Sequence, residues 1–259
     1  MSRFECLGVV HLLPLPGTPW ASNPMDMIVE RALHDAEVIL SSGFSGLVLE
    51  NFGDAPFVQH HVEPHIVSAM TRVALEIRRR FTQSFRMGIN VLRNDARSAL
   101  AIASMVDADF VRVNVHIGAA WTDQGLIQGE AYNSLMYRRQ LGSKTRIAAD
   151  ILVKHAHPAG VDDLSVLAKD STLRGGADIV ILTGARTGAI TSVEEIRLLR
   201  SFLPTTPIWV GSGCTPQNIA SYKECASGAI IGSYLHEDGN LNKPLCMQRA
   251  KEFGLSLIG

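Results

Sequence analysis

A chain of 259 residues suits one barrel-sized domain better than two ordinary ones. Hydrophobic residues make up 46% and charged residues 19%, which allows a large buried core and excludes a disordered chain. The formal net charge of −1 offers no basic surface, so a nucleic acid polymer is not an expected partner.

The chain opens on a strand-like run, Cys6–Val10, with no charged segment and long apolar stretch before it. Nowhere do about 18 apolar residues follow one another without a charge. A cytoplasmic protein without a transmembrane segment is expected, with peripheral membrane association left open. An amphipathic helix is predicted at Met25–Leu40, behind Asn23 and Pro24, followed by a strand at Gly46–Glu50 and a helix at Pro64–Arg80. Strand Met87–Val91 precedes Asn94 and Asp95, an N-cap signal for helix Ala96–Met105. Strand Phe110–Val115 and helix Glu130–Leu141 come next, then strand Ile147–Ile151 and helix Asp162–Leu173. Strand Ile179–Leu182 leads to helix Ser192–Ser201, where Thr191 to Glu194 has the form of a capping box. Strand Ile208–Val210, a helix at Pro216–Glu224 capped by Thr215, strand Ala229–Ile231 and helix Pro244–Phe253 complete the chain.

Strands alternating with helices imply parallel pairing through right-handed crossovers, and eight such units close a barrel. The expected fold is a single (β/α)8 TIM barrel over residues 1–259. An open doubly wound sheet is the alternative, but its Gly-rich turn would follow the first strand rather than the last ones.

Catalytic groups in such a barrel come from the C-terminal strand ends. The first five strands all deliver polar residues there: His11, then Glu50 and Asn51, then Asn90, then Arg112, Asn114 and His116, then Asp150, Lys154 and His155. In the fourth strand Val111, Val113 and Val115 share one face and Arg112, Asn114 and His116 the other. The valines belong against helices, which aims the polar row into the barrel, where each unpaired group costs roughly 1–3 kcal/mol. A satisfied polar network closing the barrel is one reading; an active site is the favoured one. Glu50, Asp150, Lys154, His116 and His11 are the catalytic candidates. Asn51, Asn90, Arg112, Asn114, Thr183 and Asp123 are the candidates for holding substrate, Asp123 from a loop, Ala119–Gly129, that could act as a lid.

His11, Glu50, His116, Asp150 and His155 are chemically able to bind a divalent metal, although no short spacing ties two of them together. A metal is therefore an open option, and no other cofactor is expected. His60, His61 and His65 read as surface histidines around Pro64. Cys6, Cys214, Cys225 and Cys246 form no C-x-x-C pair and read as small apolar residues, with Cys214 set apart by its glycine-rich turn.

Three turns follow the last three strands: Thr183 to Gly188, Gly211 to Thr215, and Gly232 to Tyr234. Glycines there let backbone amides approach an anion at a helix N-terminus. Gly184, Thr187, Gly188, Gly211, Ser212, Gly213, Gly232 and Ser233 are the expected phosphate-binding residues. The Gly211-Ser212-Gly213 string lacks the G-x-S-x-G frame of a serine nucleophile.

The motifs also resemble a known family. Val9 to Gly17, Glu50 to Phe57, Gly88 to Asp95, Val111 to Gly118, Thr122 to Gly125 and Asp150 to Ala156 are similar to signature segments of the BtpA/SgcQ family. Thr183-Gly184, Thr187-Gly188 and Gly211 to Gly213 with Thr215 continue the likeness, which spans about Gly8 to Arg249. The resemblance implies a barrel of the ribulose-phosphate-binding class. One branch of that family is named for photosystem I biogenesis; the other carries a nucleosidase label and a link to sugar metabolism.

Two functions follow. The favoured one is an enzyme acting on a small phosphorylated sugar or nucleoside-like substrate, by glycosidic C–N hydrolysis or isomerase or lyase chemistry. Glu50 and Asp150 would divide acid and base duties, and Lys154 would serve as base or Schiff-base amine. Glu50→Gln and Asp150→Asn would then leave folding intact and abolish turnover. The alternative is a non-catalytic assembly factor that binds a protein. A homo-oligomer is compatible with either.

Overall fold

The computed structural model describes residues 4–152, 156–160, 163–184 and 190–258. Eight parallel strands form a closed barrel. They are β1 (Glu5–His11), β2 (Gly46–Glu50), β3 (Arg86–Asn90), β4 (Phe110–Val113), β5 (Arg146–Leu152), β6 (Ile179–Leu182), β7 (Ile208–Val210) and β8 (Gly228–Ile231). Each pairs with the next in the chain, and β8 closes on β1. The helices between and after them are α1 (Met25–Ser41), α2 (Pro64–Arg80), α3 (Ala96–Met105), α4 (Ala131–Gln140), α5 (Leu164–Lys169), α6 (Val193–Phe202), α7 (Ile219–Lys223) and α8 (Met247–Ser256). Among the described residues, no helix is long and apolar enough to cross a membrane.

The two-residue period of a strand sorts side chains between two cores. Outward residues such as Val10, Leu49, Val111 and Val113 join the apolar faces of the helices in one large cluster. Inward residues Leu7, Val9, Val48, Phe110, Ala148, Ile179, Ile181, Trp209 and Ile230 fill the lower barrel as a separate cluster. The Phe110 and Trp209 rings meet edge to face, with centroids 4.9 Å apart. Gly88 is required beside them, since a Cβ there would lie 2.2 Å from the Phe110 ring.

Local differences from the sequence expectations have local causes. The α6 cap is Ser192, whose side chain accepts from Glu195 N–H, and not Thr191. Thr191 is occupied elsewhere, donating its hydroxyl to Ser212 O while its carbonyl accepts from Tyr222. Asp95 caps α3 as expected. Thr215 does not start α7, because Asn218 Oδ1 accepts from Thr215 N–H in a preceding turn. α8 begins three residues after Pro244 because Leu245 pairs with His236 in a β-bridge. α5 passes into a π turn, Asp170–Arg174, closed by Gly175 N–H on Asp170 O. The segment expected as a lid loop is ordered: strands Ala119–Thr122 and Gly125–Gln128 form a hairpin, extended by Ala156–Pro158 into a small antiparallel sheet.

Candidate active site

Two residues beyond the apolar layer, the inward positions turn polar or become glycine. Continuing each strand by its period gives His11, Glu50, Asn90, Arg112, Asp150, Thr183, Gly211 and Gly232 around the mouth. The register puts His11 beside Glu50 and Glu50 beside Asn90. A cavity of about 390 Å³ opens above β7 and β8. Its walls include His11, Glu50, Arg93, Arg112, Asn114 and Asp123, together with Gly211 to Cys214 and Gly232 to Tyr234. Phe52, Phe57, Leu92 and Leu241 supply its apolar lining.

Arg112 and Asp150 form a buried bidentate pair, Nε to Oδ2 at 3.0 Å and Nη2 to Oδ1 at 3.1 Å. Asn114 Nδ2 donates to Asp150 Oδ2 at 2.9 Å. Asn90 Nδ2 donates to the Arg112 carbonyl at 3.1 Å and to Asn114 Oδ1 at 3.3 Å. Burial alone would pull the Arg112 guanidinium down, but Asp150 overrides it and holds the pKa above its ordinary value. Arg112 and Asn114 face the cavity, whereas Asp150 stands behind them and opens, with Thr183 and Gly184, towards a neighbouring one. Both oxygens of Asp150 are thus engaged, by Arg112 and Asn114.

His11 Nε2 and Glu50 Oε1 lie 3.9 Å apart at the cavity wall. That is too long for a direct hydrogen bond, and short enough for both atoms to contact one substrate hydroxyl. The Phe52 ring meets His11 edge to face, and His11 Nδ1 lies 3.1 Å from His236 Nε2. His236 was not singled out from the sequence, since it sits in an irregular stretch beyond β8. Arg93 was missed as well. Burial pulls its guanidinium below the ordinary value, partly offset by Asp123, Asp150 and Glu50. Asp123 lines the cavity from the hairpin tip.

At the glycine side, Gly213 has a φ of +73°, which favours glycine, and Gly211 leaves no room for a Cβ, which would lie 2.4 Å from Thr183 Cγ2. Ser212 Oγ accepts from Gly184 N–H at 2.8 Å, joining the β6 and β7 turns. Thr183 Oγ1 donates to the Leu152 carbonyl, tying β5 to β6. Cys214 is buried, and burial pushes its thiol up to about 12, which disfavours the thiolate. Lys154, His155, Thr187 and Gly188 lie outside the described residues.

Two candidates fall elsewhere. β4 ends at Val113, so His116 leaves the inward row, and its Nε2 donates to the Gly175 carbonyl of the π turn at 2.7 Å. Asn51 braces three loops: its Nδ2 donates to Asp54 Oδ2 at 2.9 Å, its Oδ1 accepts from Leu92 N–H at 2.7 Å, and Asp54 Oδ1 accepts from Leu15 N–H. Of the residues able to bind a metal, His116 is engaged with Gly175, Asp150 with Arg112 and Asn114, and His155 lies outside the described residues. Among the described residues, no three His, Cys, Asp or Glu side chains gather in a group fit for a metal. His60 and His65 are exposed, and His61 pairs with Asp95 at 3.1 Å.

Comparison with known proteins agrees with this architecture. The chain is 44% identical over 248 residues to the photosystem I biogenesis protein BtpA of Synechocystis, covering 95% of this chain and 85% of that protein. It is 40% identical over 244 residues to an uncharacterised protein of Pyrococcus abyssi, covering 94% and 92%. A mitochondrial protein of Caenorhabditis elegans is 32% identical over 259 residues, covering 97% and 92%. Among solved structures, a native KDPGal structure aligns with a TM-score of 0.58 at 12% identity, covering 100% of this chain and 94% of that one. Phosphoribosyl anthranilate isomerase of Thermus thermophilus aligns with a TM-score of 0.57 at 10% identity, covering 98% of both. At such identities the likeness is one of TIM-barrel fold alone. The model of the BtpA family matches residues 3–256, and with the curated relatives it establishes that this chain belongs to the BtpA family.

Proposed function

We propose that this protein is an enzyme whose substrate is a small phosphorylated sugar or nucleoside-like molecule. One observation carries the reading: a single cavity brings the β7 and β8 glycine turns together with His11, Glu50, Arg93 and Arg112. The phosphate rests on the amides around Gly213 and Gly232–Ser233, where backbone donors favour an anion. The sugar extends across the mouth to His11 and Glu50, flanked by Arg112 and Asn114. In glycosidic C–N hydrolysis, one member of the His11–Glu50 pair takes a proton from the attacking water and the other delivers one to the leaving nitrogen. In isomerisation, the same pair moves a proton between adjacent carbons. Asp150 keeps Arg112 in place and charged.

The test is a ligand screen by thermal shift. Phosphorylated pentoses and nucleotides at a hundredfold excess over Kd raise Tm by roughly 5–10 °C. Their dephosphorylated forms leave it unchanged. Equal shifts with and without the phosphate reject the reading.

A second reading is favoured by the name of the Synechocystis relative, photosystem I biogenesis protein, at 44% identity. In it the barrel serves assembly by binding a protein. Recovery of a stoichiometric membrane-protein partner, with no small-molecule binding in the screen, would prefer it.

A further inference from the structure

His236 reaches the cavity only through another side chain. It is fully buried between β8 and α8, and its Nε2 lies 3.1 Å from His11 Nδ1. Its own Nδ1 lies 2.8 Å from the Lys243 carbonyl oxygen. A carbonyl only accepts, so His236 Nδ1 carries a proton. Neutral His236 therefore has a bare Nε2, and a bare Nε2 facing His11 Nδ1 requires the proton to sit on His11. The sequence of donors leaves His11 Nε2 as the atom beside Glu50.

The anchor is rigid. The Lys243 carbonyl also accepts from Arg31 Nη2, and Arg31 Nε is paired with the buried Asp35 carboxylate at 2.9 Å. The other oxygen of Asp35 accepts from Leu245 N–H, and Leu245 pairs with His236 along the backbone. α1 thus fixes the carbonyl that fixes the ring. Burial pulls the His236 pKa down, which keeps the ring neutral; the Lys243 carbonyl and Asp35 oppose this, and Arg31 adds to it.

We infer that His236 is a positioning residue that holds His11 in its Nδ1–H form, so that His11 Nε2 takes and returns the substrate's proton. The inference rests on the enzyme reading above for the presence of a substrate. A substrate hydroxyl between His11 and Glu50 gives its proton to Nε2: the O–H bond breaks, an N–H bond forms, and the ring becomes an imidazolium facing Glu50. Nδ1–H stays on His236 throughout, and the proton leaves from Nε2 to the product or to water. The anion turn adjoins this atom. A Cβ added at Gly232 would lie 3.2 Å from His11 Cε1 and 3.5 Å from Nε2, so a molecule held at Gly232 begins beside the proton acceptor.

The experiment is long-range proton–nitrogen NMR on the full chain labelled with 15N-histidine, at pH 7.5. Both rings are expected in the Nδ1–H tautomer. In His236→Leu, His11 moves to the Nε2–H tautomer common in water, and His236→Gln, whose amide oxygen still accepts, restores Nδ1–H. Inorganic phosphate, titrated by calorimetry, binds wild type and His236→Leu within twofold of each other. His11 carrying its proton on Nε2 in wild type, or keeping its tautomer unchanged in His236→Leu, overturns the inference. The wild-type spectrum decides the matter even where the leucine variant does not fold. Failure of wild type to bind phosphate, with both rings Nδ1-protonated, overturns the phosphorylated-substrate reading and leaves the ring pair standing.

Discussion

Arg112 sets Nε and Nη2 on the two oxygens of Asp150, at 3.0 and 3.1 Å, where Arg112 is 5% exposed and Asp150 6%. Such a pair gains little over well-packed apolar residues, because desolvation offsets most of the attraction, but breaking it strands a charge. Asp150→Ala is therefore expected to lower unfolding free energy by about 3–5 kcal/mol in urea titration. Arg112→Met combined with Asp150→Leu costs less than Asp150→Ala alone. A double variant weaker than the single one would refute this account of the pair.

Gly213 and Gly232 separate conformation from space. Alanine at Gly213 must adopt a φ near +73°, which costs roughly 1–2 kcal/mol. Alanine at Gly232 has no such strain and places its methyl at the His11 ring edge. Calorimetry should show weaker phosphate binding in both variants, with a lowered Tm in Gly213→Ala and little change in Gly232→Ala. Undiminished phosphate affinity in both would move the anion site away from these turns.

The barrel was legible from the sequence because strand and helix periods alternate eight times, and His11, Glu50 and Arg112 were legible because each continues the inward parity of its strand, with Asn114 one residue past the end of β4. His116 shows where that reasoning stops. Parity holds only while the strand lasts, and β4 ends at Val113, three residues too early. Asn51 lies just past β2, in a bend whose side-chain bonds depend on Asp54 and on the distant Leu92 amide. Arg93 and His236 carry no period at all. They occupy irregular backbone, and only the closure of β8 on β1 brings His236 to His11, 225 positions away in sequence.

His116 and His236 make stability depend on pH with a definite sign. Burial pulls both below the ordinary histidine value of 6.5, and the buried Nδ1 of His116 has no acceptor among the described residues for a second proton. Just below pH 6.5 the unfolded chain thus binds more protons than the folded one. Stability falls as pH drops through that window towards the folded values, by at most about 1.4 kcal/mol per pH unit for each histidine. His116→Gln keeps a donor for the Gly175 carbonyl and removes one titration, so its stability curve between pH 6.5 and 5 should be flatter than that of wild type. Parallel curves would show that His116 titrates normally.

Glu50 lines the cavity beside His11, its Oε1 3.9 Å from His11 Nε2. Glu50→Gln preserves its shape and removes its charge. The imidazolium formed on His11 then loses the negative group 3.9 Å from Nε2, and a carboxyl capable of donating or accepting a proton is gone. With the phosphorylated ligand that raises Tm most, kcat is expected to fall by roughly 10²–10⁴, the usual worth of a positioned acid or base. Phosphate affinity should hold within a few-fold, because the phosphate is expected on backbone amides of the β7 and β8 turns and not on the Glu50 side chain. Asp150→Asn should behave differently, losing stability first, since the amide offers Arg112 one acceptor where it had two. Full turnover in Glu50→Gln would remove the acid–base pair from the mechanism and with it the enzyme reading of this cavity.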